Sequence, residues 1–305
     1  MARTRKPPRK PRVTSGKSNG YERTATRGPS ERAPQQRPAK KEARPSERSP
    51  AERSRRPSKP STALKPSYAG AYFLYGRNSV EAALQNKRRE CLRLIGTEKS
   101  LSDESIAGIR PDIKTVTIEH IEEIADAVPD GAPHQGILLE VRFLPGLHIA
   151  DLEPIEGQKN IILMLDQVTD PQNVGACIRS AAAFGARAII TQDRNSPVES
   201  GSLARAAAGG LEVLPWLQMP NLSQALTQLK EMGYWHIGLD GDADLSIKKV
   251  SLGENIVIVM GSEGRGLRPL VRKNCDVIAN IPMSGSVESL NVSNAAAITL
   301  FQLTE

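Results

Sequence analysis

From Lys159 onward the apolar residues come in unbroken runs, IILMLD, RAIIT, LEVLPW, YWHIGLD, IVIVM and VIANI, and helical spacing separates most of them. A strand buried on both faces has no polar side to show, so this pattern predicts a parallel sheet covered by helices, one α/β domain over 159–305. Upstream the same signals are smaller. YFLY opens as a short strand, the spacing of Val80, Ala83 and Leu84 marks one face of a helix, LRLIGTEK and IKTVTI read as strands, IEHIEEIADAV as an amphipathic helix and HQGILLEVRFL as a closing strand. Together they predict a compact α/β unit over 71–143, and the polar, Gly- and Pro-bearing stretch 144–158 reads as the linker between the two.

Composition changes the picture at the amino end. Residues 1–70 carry 20 of the 41 Lys and Arg, only 5 of the 34 acidic residues and 11 of the 22 prolines. With almost no large apolar side chains, such a segment cannot bury enough surface to offset the entropy of ordering, so it is expected to be a disordered basic tail. Its charge suits a polyanion, with nucleic acid the favoured partner and a solubilising role the alternative. What remains is acidic, so the formal charge of +7 averages two unlike parts. An organellar transit peptide is disfavoured by the frequent prolines and the missing amphipathic period, and no apolar run reaches the length of a membrane span; a cytoplasmic protein is expected. Cys91, Cys177 and Cys275 are far apart and the four histidines scattered, which points to neither a disulfide framework nor a metal site. Cys177 reads as a small helix-packing residue.

Three segments carry candidate chemistry. In DQVTDPQNVGACIRS, Asp170 and Pro171 mark a turn, and Asn173 with Gly175 suits a tight helix entry. A helix starting near Asn173 would put Arg179 almost two turns in, pointing off the carboxyl end of the preceding strand, where open α/β sheets bind ligands. Among Cys177, Ile178, Ala181 and Ala182 an arginine requires an anionic or polar partner, either a ligand or a surface ion pair. IVIVMGSEGRGL is a strand followed by a Gly-rich loop, but Glu263 stands where a dinucleotide fingerprint needs glycine, and a P-loop lysine is missing. A carboxylate there repels pyrophosphate and favours a neutral or cationic ligand. Finally, IPMSGSVESLNVSNAAAITLFQL sets Ser286, Glu288, Ser289 and Asn291 in otherwise apolar sequence before an Ala-rich helix, which either Ser289 or Asn291 could cap.

In this order and spacing the three segments resemble the signature motifs of the SpoU/TrmH family of RNA ribose methyltransferases, in the SPOUT superfamily. YGRNSVEAAL and HQGI are similar to the small substrate-binding domain of those members that methylate a guanosine 2′-hydroxyl in large-subunit ribosomal RNA. The resemblance runs from about Tyr72 to the carboxyl terminus. It implies an α/β fold whose catalytic domain is a trefoil-knotted parallel sheet, S-adenosylmethionine as cofactor, ribosomal RNA as substrate, a homodimer packed through the catalytic domain, and no metal or membrane partner. By the same resemblance, Arg179 stabilises the developing alkoxide, Asn173 and Glu263 orient Arg179 and the ribose, Ser289 and Asn291 shape the cofactor site, and Gly261, Ile281, Leu290, Met283 and Leu239 hold the cofactor. A tRNA methyltransferase of the same family and a non-catalytic ribosome-assembly factor are the competing readings. The missing fingerprint argues against a nicotinamide dehydrogenase.

Overall fold

The computed structural model describes residues 64–304 apart from Leu252 and Ser286. The expected disorder of the tail, up to Ala63, and Ser286 of the carboxyl-terminal polar group therefore lie outside the described residues. From Leu64 the chain already packs. Leu64 lies against the cluster of Phe73, Ile95 and Leu138, and the Ser67 hydroxyl donates to buried Glu140 at 3.1 Å. The described fold thus begins seven residues before the tail boundary read from composition.

The first sheet has four strands in the order β1-β4-β2-β3: β1 (Ala71–Tyr75), β2 (Cys91–Thr97), β3 (Lys114–Ile118) and β4 (Ile137–Arg142). Antiparallel pairing of β4 with both β1 and β2 buries its residues ILLEV, while β2 and β3 run parallel. Helix α1 (Arg77–Gln85) covers one side with Val80, Ala83 and Leu84, as its spacing predicts, and α2 (Glu98–Leu101) is one turn. The amphipathic helix expected over 118–128 shrinks to α3 (Glu122–Ala125), because Ile118 is taken by β3, Ile121 stays exposed, and Ile124 alone is buried.

The second sheet has six strands, all parallel, in the order β10-β8-β9-β5-β6-β7. They are β5 (Asn160–Asp166), β6 (Ala188–Gln192), β7 (Trp216–Met219), β8 (Trp235–Leu239), β9 (Asn255–Gly261) and β10 (Val277–Ala279). Successive residues of one strand enter different cores. Ile161, Leu163 and Leu165 join one hydrophobic cluster, and Ile162 and Met164 the other, which is why the runs lack polar interruption. Helices α4 (Pro171–Ala183), α5 (Gly201–Ala207), α6 (Gly210–Val213) and α9 (Val292–Thr304) lie over the first face, α7 (Leu222–Glu231) and α8 (Pro269–Lys273) over the second. LEVLPW is the exception. Its first half is α6, with Leu211 and Leu214 buried at helical spacing and Val213 exposed, and the strand starts only at Trp216, after Pro215.

Chain order reverses at β5. Strands β6 and β7 extend the sheet on one side of it and β9, β8 and β10 on the other. Such a reversal makes connections diverge at the carboxyl ends of the strands and opens a crevice there. In register, Asp166 lies opposite Gly261, Leu239 opposite Met260, and Ala279 opposite Leu239, so the loops leaving β5, β8, β9 and β10 emerge at one level.

Candidate active site

The loop after β9 is held in a tight return. Ser262 and Gly266 form a bridge, with the Gly266 amide donating to the Ser262 carbonyl at 2.9 Å. This return presses its own backbone onto Gly261: a Cβ there would lie 2.1 Å from the Gly266 carbonyl carbon, so only glycine fits. Buried Asp166, at the end of β5, ties down the far end of the loop. Its carboxylate accepts the Arg268 backbone N–H at 2.9 Å and the Arg268 Nε–H at 2.7 Å.

Beneath this loop is a cavity of about 380 Å³. Leu239, Gly261, Ile281, Met283 and Leu290, the five residues expected at the cofactor, all line it, together with Glu263 and Ser289. Met260 and Leu267 add to its apolar lining, and Asp240, Asp242 and Glu288 set carboxylates along it. The Asp240 carboxyl is held below its ordinary range, first by the Asp242 backbone N–H and then, against burial, by Arg272. A cavity with an apolar floor and an acidic border suits a flat, largely uncharged ligand that carries a positive centre.

Glu263 joins the three motif segments. Its Oε1 accepts from Asn173 Nδ2 at 3.1 Å, from Asn291 Nδ2 at 2.9 Å and from the Val292 backbone at 3.3 Å. Asn291 Nδ2 also donates to Asn173 Oδ1 at 2.9 Å, closing a triangle of residues that are far apart in sequence. Meanwhile Asn291 Oδ1 accepts the Ser293 backbone N–H at 2.9 Å and caps α9. Of the two capping candidates, Asn291 therefore takes the role.

Arg179 stands apart from this triangle. The helix begins two residues before Asn173, with Asp170 as its N-cap accepting from Gln172, so Asn173 sits inside the first turn. Six residues further, Arg179 is roughly 120° around the helix and about 9 Å along it. It is exposed and makes no hydrogen bond or ion pair among the described residues; the backbone beside it packs on Gly210 of α6. Asn173 and Glu263 bond to each other and to Asn291, and neither bonds to Arg179. Cys177 is fully buried and its thiol is pushed up to about 12 by burial, which leaves it a packing residue. Among the described residues no group of three His, Cys, Asp or Glu is arranged to hold a metal.

The family model described as SpoU rRNA Methylase matches residues 160–301, and the model for RNA 2′-O ribose methyltransferase substrate binding matches 73–146. A 23S rRNA (guanosine-2′-O-)-methyltransferase from Vibrio parahaemolyticus is 39% identical over 238 residues, covering 75% of this chain and 95% of the relative. The chain belongs to the SpoU rRNA methylase family. Its fold is shared with a putative TrmH-family RNA methyltransferase from Porphyromonas gingivalis, 28% identical, TM-score 0.62, over 76% of this chain and 89% of that one. It is shared too with the SpoU methyltransferase AviRb from Streptomyces viridochromogenes, solved in complex with AdoMet, 22% identical, TM-score 0.66, over 77% and 89%.

Asp166 and its partner Arg268 are not among the residues that the motifs single out. The available signal was an aspartate closing an entirely apolar strand, a position where an unpaired charge is costly. Asp240 and Asp242 had given no motif signal.

Proposed function

We propose that this chain transfers a methyl group from S-adenosylmethionine to the ribose 2′-hydroxyl of a guanosine in large-subunit ribosomal RNA. The observation that carries this reading is the joining of Asn173 and Asn291 to Glu263, which lines one cavity together with Gly261, Ile281 and Leu290. Kinship supports the substrate, since the relatives matched over most of their length are described as 23S rRNA (guanosine-2′-O-)-methyltransferases.

The cavity residues fit such a donor. Leu239, Met260, Ile281 and Leu290 would give its adenine apolar contact, the Gly261 backbone would allow close approach, and the carboxylates of Asp240, Asp242 and Glu288 would complement its positive centre. When bound, S-adenosylmethionine supplies an electrophilic methyl on a sulfonium sulfur. The neutral 2′-hydroxyl is a weak nucleophile, and Arg179 would offset the negative charge that grows on its oxygen as it takes the methyl and gives up its proton to solvent water. A guanidinium stays protonated, so its part is charge stabilisation rather than proton abstraction. Its exposure leaves it available to RNA. The triangle of Asn173, Glu263 and Asn291, with Ser289 beside it, keeps the mouth of the cavity in one shape.

The same reading includes two functional units, 71–143 for RNA and 159–305 for chemistry, a trefoil knot in the latter, and a cytoplasmic homodimer. For the knot, the support is that the segment after β10 is stitched at Asn280 to 243–247 and at Asn291 to the loop after β9 before α9 returns to α4. For the dimer, α9 leaves Ile298 and Phe301 exposed, with Phe184 edge-on to Phe301 at 6.0 Å. No helix among the described residues is long and apolar enough to cross a membrane.

The test is incorporation of labelled methyl from S-adenosylmethionine into large-subunit rRNA, with tRNA as a parallel substrate. Wild-type protein is expected to label a 2′-oxygen of rRNA, and Arg179→Ala to lose the activity while binding the donor normally. Retained turnover in Arg179→Ala would remove that residue from the mechanism, and labelling of tRNA alone would overturn the substrate.

A further inference from the structure

Arg89, in the turn between α1 and β2, has a side chain with no exposure at all, and both of its carboxylate partners come from the other side of the chain. Its Nε–H donates to Glu212 Oε2 at 3.1 Å and its Nη2 to Glu212 Oε1, a forked pairing, while Nη1 donates to Glu199 and, at 2.8 Å, to the Arg142 carbonyl. The rest of the small sheet adds to the same knot of bonds. The Tyr72 hydroxyl donates to Glu199, the Leu144 backbone to Glu199 Oε2 at 3.3 Å, and Asn86 Nδ2 to Glu212 Oε2 at 2.8 Å. Burial, and then the charge of Glu199, raise the Tyr72 hydroxyl far above its ordinary value, so it remains a donor.

The contact around this network is close. A Cβ on Gly201 of α5 would lie 2.3 Å from the Phe73 carbonyl oxygen, and the Ser79 hydroxyl donates to the Ala204 carbonyl at 3.1 Å. Leu74, Val80 and Leu84 of the small unit share one core with Leu203, Ala207 and Leu211. An interface made only of such apolar contacts tolerates sliding. A buried guanidinium does not, because every other docking leaves it or a carboxylate without a partner in a low dielectric. Units joined through a loop-rich linker move relative to one another by default, so a keyed contact here has a consequence for the reaction.

We propose that Arg89 is a positioning residue, locking the four-stranded unit against Glu199 and Glu212 so that RNA held on that unit presents one ribose at a fixed distance from the donor cavity. This rests on the reading of residues 71–143 as the RNA-binding unit. Arg89 touches neither substrate; it acts through the geometry of the joint.

The experiment uses the full chain with spin labels on unnatural residues at exposed Glu98 and Glu231, and compares wild type with Glu199→Gln, an isosteric change that leaves the pairing with Glu212. Wild type is expected to give one narrow distance. Glu199→Gln should broaden it, raise KM for rRNA by about tenfold, and leave kcat and donor affinity within about twofold, because one charged contact is lost far from the chemistry. Methyl mapping should then find the modification spread to neighbouring riboses. A narrow distance with wild-type KM in the variant, or a broad distance in the wild type, would overturn the proposal. Should Glu199→Gln fail to fold, Tyr72→Phe removes a single oxygen from the network and is read by the same measurements. A wild-type protein that holds one distance but methylates no RNA would sink the functional reading and leave the joint standing.

Discussion

Gly261 shows how a single atom decides the site. The methyl of an alanine would fall 2.1 Å from the Gly266 carbonyl carbon and 2.5 Å from the Leu267 nitrogen, and their retreat strains the adjoining Arg268 amide that Asp166 holds. The loop must therefore move into or away from the cavity. Gly261→Ala is expected to weaken S-adenosylmethionine binding at least about tenfold, ~1.4 kcal/mol, measured by calorimetry; an unchanged Kd would show the return of the loop to be irrelevant to the ligand. Gly261, Glu263 and Asn291 could be singled out in sequence because each sits in a local pattern. Asp166 stands out only as a charge closing an apolar strand, and what makes it matter, a partner 102 residues away, leaves no local pattern.

The last helix joins stability to the site. Asn291 caps α9 with Oδ1 and reaches Asn173 and Glu263 with Nδ2, so one side chain both starts the helix and holds the triangle. Asn291→Ala should cost about 1 kcal/mol for the lost cap, seen as a lower Tm, and should weaken donor binding as well. Asn291→Ser separates the two effects. It keeps a capping acceptor but loses the Nδ2 donor to Asn173 and Glu263, so it should lower Tm less than Asn291→Ala while impairing donor binding as much; equal loss of Tm in both variants would refute the division. Among the elements, continuous strands and the Val80, Ala83, Leu84 helix face were legible because burial imposes their periods directly. The failures were short pieces. Leu211 and Leu214 have helical spacing, but a run as brief as LEVLPW fits a strand equally well, and IEHIEEIADAV loses most of its helix because Ile118 is bound to β3 by pairing with Thr97.

Acid tolerance of the chain as a unit is set in part by His236, which is fully buried in β8. Burial holds its imidazole below the ordinary value, while the Asn274 carbonyl and Asp276, itself paired with Lys230, oppose that shift. The unfolded chain then binds a proton that the folded chain refuses, so stability should be fully present above about pH 6.5 and fall as the pH drops through the lower folded value. Urea midpoints compared between about pH 7.5 and about pH 5 should show that slope, and His236→Gln should flatten it; an identical slope in the variant would exclude this histidine as the cause. Charge distribution yields a second expectation. Removing residues 1–63, which hold much of the Lys and Arg, should lower affinity for rRNA and reduce the salt dependence of binding while donor affinity stays unchanged. Equal slopes of log affinity against log salt for both lengths would show that the tail does not contact RNA.

Sequence alone determined the layers of this protein, because a strand buried on both sides and a helix buried on one must write their periods into the order of residues, and it marked the three segments that carry the site. Only the tertiary structure decided which of those residues meet. Asn173 faces Glu263 and Asn291 while Arg179, six residues further on, lies roughly 120° around the same helix, and the sequence holds no record of which elements pack against either side. The pairing of Asp166 with Arg268, and of Arg89 with Glu199 and Glu212, was likewise invisible, since a charge on its own carries no record of the partner that burial will require of it.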